Sequence, residues 1–167
     1  MLELLIISSL VLLVFVSLYF YWGSHCFRLY RSGSDQNVIP TYLPKATVIL
    51  PLRGNDPFIL KCLQGVLTQD YPDYKVIIVV DHETDPVLKV VKDFLSKQNH
   101  PHCKVSLLEN RSGLCGLKNE SLIQGLKSLD ASVEVVAWLD ADVIPHQSWL
   151  CGLVQPLQDP NVGVASG

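Results

Sequence analysis

The sequence predicts an α/β domain built on a largely parallel, buried sheet and carried behind one N-terminal membrane-spanning helix. Two observations predict it. Leu4 to Ser24 is an uncharged run dominated by Leu, Ile, Val and Phe, close to the roughly 20 residues that cross a hydrocarbon core. Beyond it, short β-branched runs alternate with amphipathic stretches, the pattern of βαβ units. At 167 residues there is room for one anchor and one modest domain.

The elements follow in order. Residues 1–24 are expected to form the transmembrane helix. A cleaved leader fits less well, since it wants a basic start and the chain offers Glu3. Tyr19, Tyr21 and Trp22 gather at the C-terminal end of the run like an interfacial belt. Arg28 and Arg31 follow, which orients the rest of the chain to the cytoplasmic side. Residues 25–44, with Ser32 to Asn37, Pro40 and Pro44, read as a polar linker, and residues 45–167 as the domain. The first strand spans Ala46 to Leu52. Asp56-Pro57 offers an N-cap and an N1 proline for a helix to about Gln69. Lys75 to Val80 is the second strand. A helix from about Asp85 to Lys97 buries Val87, Leu88, Val91 and Leu95. Val105 to Leu108 makes a third strand, and Leu117 to Leu129 the next helix. Val133 to Leu139, the most apolar run, is expected as a central strand buried on both faces.

Composition excludes several classes. Formal net charge is -3 with no basic run, so no phosphate-tracking surface for nucleic acid is visible. The five cysteines are scattered, odd in number and never spaced C-x-x-C, which fits free thiols better than a disulfide framework or zinc knuckle. His100-Pro101-His102-Cys103 follows Asn99 and reads as a turn rather than a metal site. No G-x-G-x-x-G follows the first strand and no G-x-x-x-x-G-K-[ST] occurs, which disfavours dinucleotide oxidoreductases and P-loop enzymes.

What remains points to a crevice at the strand ends. Asp140-Ala141-Asp142 places two carboxylates where an apolar strand stops. Hard cations such as Mg²⁺ or Mn²⁺ enter sites through one or two carboxylates plus substrate phosphates. The same pair also fits a turn or a helix cap. Arg53 and Asp81 lie just past the ends of the first and second strands, and ligands of open α/β sheets bind outside the carboxyl ends. The four residues are therefore expected to converge on one crevice.

Ile49-Leu50-Pro51-Leu52-Arg53-Gly54-Asn55-Asp56-Pro57, Gln69-Asp70-Tyr71-Pro72-Asp73-Tyr74, Asp81-His82-Glu83-Thr84-Asp85-Pro86 and Leu139-Asp140-Ala141-Asp142 together resemble the N-terminal half of inverting family 2 glycosyltransferases. Within that family the motifs look most like the ceramide-glucosyltransferase-like branch. The resemblance implies a GT-A, Rossmann-like nucleotide-sugar domain. It implies a divalent cation, Mn²⁺ or Mg²⁺, held mainly by Asp142, with Asp140 nearer the ribose or sugar. It also implies donor contacts from Asp81 to the uracil and ribose, from Pro51 and Arg53 beside the base, and from Lys118 near the donor, although the first turn of a solvated helix is an equal reading for Lys118-Asn119. The donor implied is a UDP-sugar such as UDP-glucose, and the acceptor a lipid or polysaccharide.

Inversion needs a general base on the acceptor hydroxyl. In the resembled family that aspartate lies well downstream of the metal motif, so it is expected beyond Gly167 and the domain is expected to be incomplete. Glu134, His146 and Asp159 have no spacing that nominates them instead. Two other readings stay open: a non-catalytic nucleotide-sugar-binding module, and a sugar nucleotidyltransferase, for which Arg53-Gly54-Asn55 is a poor phosphate loop.

Overall fold

The computed structural model describes residues 2–34, 41–109, 111–113 and 115–166. They divide into two compact units, Met1–Ile39 and Pro40–Gly167.

The first unit is one helix, α1 (Leu2–Ser34). Within it Ser9–Cys26 is long and apolar enough to cross a membrane, by length and composition, and none of it is buried. At 1.5 Å per residue those 18 residues span about 27 Å. The helix continues past residue 24, so the expected polar linker is helical through Arg28 and Arg31 as far as Ser34. Ser32-Gly33-Ser34 contains weak helix formers, but a helix already nucleated propagates at one hydrogen bond per residue fixed. Residues 35–40 of the expected linker lie outside the described residues. Pro44 is buried, and its carbonyl accepts a 2.6 Å bond from the Tyr71 hydroxyl, which ties this stretch into the second unit.

The second unit is a four-stranded parallel sheet: β1 (Ala46–Leu52), β2 (Tyr74–Val80), β3 (Cys103–Leu107) and β4 (Val135–Trp138), in the order β3-β2-β1-β4. The chain steps from β1 to β2 to β3, then crosses back to place β4 on the other side of β1. The order therefore reverses between β1 and β4. Right-handed crossovers demand that helices on the two sides of such a reversal cover opposite faces of the sheet. Even-numbered β1 residues Ala46, Val48, Leu50 and Leu52 face a core shared with α2 (Ile59–Leu67), α3 (Pro86–Leu95) and α5 (Trp149–Val154). Helix α4 (Leu117–Lys127) packs on β1 and β2. There Ile77, Val79 and Leu108 form a second cluster with Leu117 and Leu129. A one-turn 3-10 helix (Gln155–Gln158) follows α5.

Glycine sets how closely α4 approaches. A methyl group at Gly125 would lie 2.6 Å from Ile49 Cγ2, so only a residue without Cβ fits against β1. Pro51 is half-buried in β1, opposite Val79. In a parallel ladder alternate residues address opposite neighbours. The Leu52 carbonyl accepts from Asp81 on the β2 side and the Ile49 carbonyl from Leu139 on the β4 side. Pro51 therefore turns its missing N–H towards β4, beyond Ile49↔Trp138, where that pairing ends. A proline inside a sheet is placed where it breaks no bond.

Three expectations are corrected. The strand expected at Val133 to Leu139 begins at Val135 and is an edge strand among the described residues, not a central one. β1 and β2 hold the interior positions, while Trp138 is 61% exposed. Both Glu134 and Val135 donate to the Lys45 carbonyl, which delays the start of the strand. The helix expected from Asp56-Pro57 starts at Ile59, because the Asp56 carboxylate bonds the Phe58 amide at 2.7 Å and folds the dipeptide into a local turn first. Leu95 is only half-buried, at the last turn of α3.

Candidate functional site

Asp81 begins the loop after β2 and is held from the backbone outward. Its amide donates to the Leu52 carbonyl at 3.1 Å, extending the β1–β2 ladder by one rung, and the residue is only 8% exposed. A carboxylate this buried demands partners. Two arginines supply them. Arg53 Nε lies 3.4 Å from Asp81 Oδ2, and Arg111 Nη2 lies 2.9 Å from Oδ1 while also donating to the Asp81 carbonyl at 2.8 Å. Both arginine side chains remain exposed, so the cluster presents net positive charge on one side of the sheet's carboxyl edge.

Asp85 fixes the Arg53 side of this arrangement. Its carboxylate accepts from the Gly54 amide at 3.1 and 3.0 Å, and from Val87 N at 2.9 Å as the N-cap of α3. Gly54 has φ +73°, a left-handed conformation that glycine adopts without cost. One carboxylate thus caps a helix and joins the β1 loop to the β2 loop.

Across β1 lies the second cluster. β4 ends at Trp138, and the Leu139 amide still donates to Ile49. The chain then turns through Asp140 to Val143, closed by a 3.2 Å bond from Val143 N to the Asp140 carbonyl. Asp140 and Asp142 are both exposed on this turn. Lys118, in the first turn of α4, reaches Asp140 Oδ1 at 2.5 Å. Behind the turn sits the Cys62 thiol, fully buried and 3.8 Å from the Asp140 carbonyl. Burial, then the Asp142 and Asp56 carboxylates, push that thiol up to about 12. An un-ionised thiol there is inert packing, with no nucleophilic part to play.

The segment after the turn is pinned by α2 and the residues that directly follow it. Gln69 donates to the His146 carbonyl at 2.8 Å and accepts from the Leu150 amide at 2.8 Å, and the Asp70 amide donates to Gln147 at 2.8 Å. Any Cβ at Gly65 would meet the Pro145 carbonyl at 2.5 Å. The carboxylate pair therefore stands on a braced segment.

The structure thus brings Arg53 onto Asp81 and Lys118 onto Asp140. Because β1 separates β2 from β4, the two clusters occupy neighbouring loops at the reversal point of the sheet, where open α/β sheets bind ligands. Pro51 lies inside β1 rather than in either loop. Among the described residues no third His, Cys, Asp or Glu joins Asp140 and Asp142. Two hard carboxylates on one exposed turn fit Mg²⁺ or Mn²⁺, which fill their remaining positions with water and phosphate oxygens. Sequence reasoning missed Arg111 and Glu120. The signal available was Arg111-Ser112-Gly113 after the third strand and an acid two residues beyond Lys118, which says nothing of burial.

Comparison with known proteins identifies the family and the fold. The family model described as glycosyl transferase family 2 matches residues 47–167. Ceramide glucosyltransferase of Komagataella phaffii is 32% identical over 66% of this chain and 21% of its own length. An N-acetylglucosaminyltransferase of Bradyrhizobium elkanii is 32% identical over 75% of this chain and 66% of its own. The mannosyltransferase PcManGT of Pyrobaculum calidifontis, solved with GDP-Man and Mn²⁺, superposes with a TM-score of 0.64 at 28% identity, over 87% of this chain and 41% of that one. The chain spans about a fifth to two thirds of the length of these relatives, and the sheet matches the GT-A, Rossmann-like architecture. It belongs to glycosyl transferase family 2.

Proposed function

We propose that the chain is the donor-binding part of a membrane-anchored glycosyltransferase that moves a sugar from a UDP-sugar, with inversion, to a lipid or polysaccharide acceptor. The observation that carries this reading is the pairing of a positively charged cluster, Arg53 and Arg111 around Asp81, with an exposed carboxylate turn, Asp140 and Asp142, at one reversal point. A nucleoside diphosphate needs both: hydrogen-bonding groups for base and ribose, and charge compensation for its phosphates. Asp81 and Arg53 take the nucleoside end. Asp142, with Asp140, holds Mn²⁺ or Mg²⁺, which supplies Lewis-acid stabilisation to the departing diphosphate. Lys118 holds Asp140 in place and adds a positive charge where the diphosphate lies. Asp85 keeps the Arg53 loop preset, so little ordering is left to binding. Helix α1 is the anchor, with the domain on the cytoplasmic side.

The test is UDP binding to the full chain in detergent with Mn²⁺ present. Asp142→Asn is expected to weaken it at least tenfold, about 1.4 kcal/mol. Unchanged affinity would remove the metal assignment. A non-catalytic binding module is the second reading, favoured by a turn that, among the described residues, gathers only two carboxylates. Release of UDP from UDP-glucose by the wild-type chain, lost in Asp142→Asn, separates the enzyme from that module.

A further inference from the structure

Glu120 is a charged residue in the first turn of α4, yet it is 6% exposed and its Oε2 is buried without a hydrogen-bond partner among the described residues. Its other oxygen, Oε1, accepts from the Ser112 hydroxyl at 2.7 Å and from the Gly113 amide at 3.0 Å. Gly113 has φ +70°. Ser112 and Gly113 directly follow Arg111, whose guanidinium grips both the carbonyl and the carboxylate of Asp81. Those bonds to Ser112 and Gly113, with the Arg111 charge, hold the Glu120 carboxyl below its ordinary value. The arrangement repeats the one across the site, where the Asp85 carboxylate grips left-handed Gly54 next to Arg53.

A buried carboxylate gains nothing for the first turn of a helix that an exposed one would not give, since the dipole favours either. Burial adds a desolvation cost instead. The return for that cost is a fixed path for residues 111–113. We infer that Glu120 is a positioning residue: from the start of α4 it latches the Ser112-Gly113 backbone and so holds Arg111 on Asp81, presetting the nucleoside end of the donor site without touching the donor. This rests on the donor-site reading above only for its functional consequence. The latch itself is a property of the free protein.

The experiment has two arms on the full chain in detergent micelles. With ¹⁵N-labelled arginine, the Arg111 Nη–H signals, whose Nη2 bonds the Asp81 carbonyl and carboxylate, are expected to be protected from solvent exchange in the wild type. They should lose that protection in Glu120→Ala while the Arg53 signal is retained. UDP affinity with Mn²⁺ is measured for Glu120→Ala, Arg111→Ala and the double variant. Glu120→Ala is expected to weaken UDP about tenfold, the scale of one charge-assisted hydrogen bond. The double variant is expected to bind no more weakly than Arg111→Ala alone, because coupled residues are not additive. Glu120→Gln keeps one acceptor for Ser112 and Gly113, so it should retain most of the affinity. It serves as the folded control if the alanine variant does not fold. Additive losses, or an Arg111 signal indifferent to Glu120, would overturn the inference. If the wild type binds no UDP, the donor-site reading fails, and the exchange arm still decides whether Glu120 holds Arg111.

Discussion

Replacing Gln69 by alanine severs the brace between α2 and the segment that follows the carboxylate turn. The side chain is 8% exposed and makes three bonds: to the Gly65 carbonyl at 2.7 Å, to the His146 carbonyl at 2.8 Å, and from the Leu150 amide at 2.8 Å. The last is the most costly to lose. Leu150 is fully buried in the first turn of α5, whose N-cap Ser148 makes no side-chain cap bond, so Gln69 caps that helix from a distance of 81 residues in sequence. Losing that cap orphans one buried amide, which costs about 1–3 kcal/mol. That is roughly 3–12 °C in Tm for a domain of this size. Near-UV circular dichroism melts of the full chain in detergent read this directly. Gln69→Glu keeps the acceptor for Leu150 but sets a carboxylate against two carbonyls, so it should fall between wild type and alanine or below both. A Tm shift under about 2 °C for Gln69→Ala would show that water replaces these bonds and that the brace is not structural.

Gly125→Ala gains helix propensity of about 1 kcal/mol but forces a methyl against Ile49 Cγ2, and overpacking costs about 1–3 kcal/mol. The variant should be less stable by about 1 kcal/mol in urea unfolding, and in an Ile49→Ala background the Gly125→Ala change should no longer destabilise. Stability should also depend on pH through His102. Burial lowers its value from the ordinary 6.5, with His100 acting in the same direction. The unfolded chain therefore takes up the proton first, so stability is full above about pH 6.5 and falls as pH drops through and below it. His102→Gln should flatten that fall in melts between about pH 7.5 and 5.5, and an unchanged slope would assign it elsewhere.

The local features of this fold were legible because they are written in neighbouring residues. The bounds of β1 followed from an uninterrupted apolar run, and α3 from Asp85-Pro86 supplying the cap and the first-turn proline that the structure shows. The placement of Arg53, Asp81 and the Asp140–Asp142 pair past strand ends followed from the same reading. Strand order was not legible. Val133 to Leu139 is apolar apart from Glu134, but apolarity reports burial in the finished protein and carries no label for which strand lies beside it. Among the described residues β4 pairs only with β1, and Trp138 faces solvent. Arg111 and Glu120 were missed for a related reason. Their importance depends on Gly113 turning left-handed and on one acid being buried while its neighbours are not, neither of which has a spacing signature.

The most direct test of the donor site is calorimetric titration of UDP into the full chain, with Mn²⁺ and then with a chelator, for wild type, Asp81→Asn and Asp142→Asn. The account predicts that Asp81→Asn weakens binding in both conditions, and that Asp142→Asn weakens it only with Mn²⁺, to the level seen with the chelator. Wild-type affinity that ignores Mn²⁺, or an Asp142→Asn variant that binds as tightly as wild type, would contradict it.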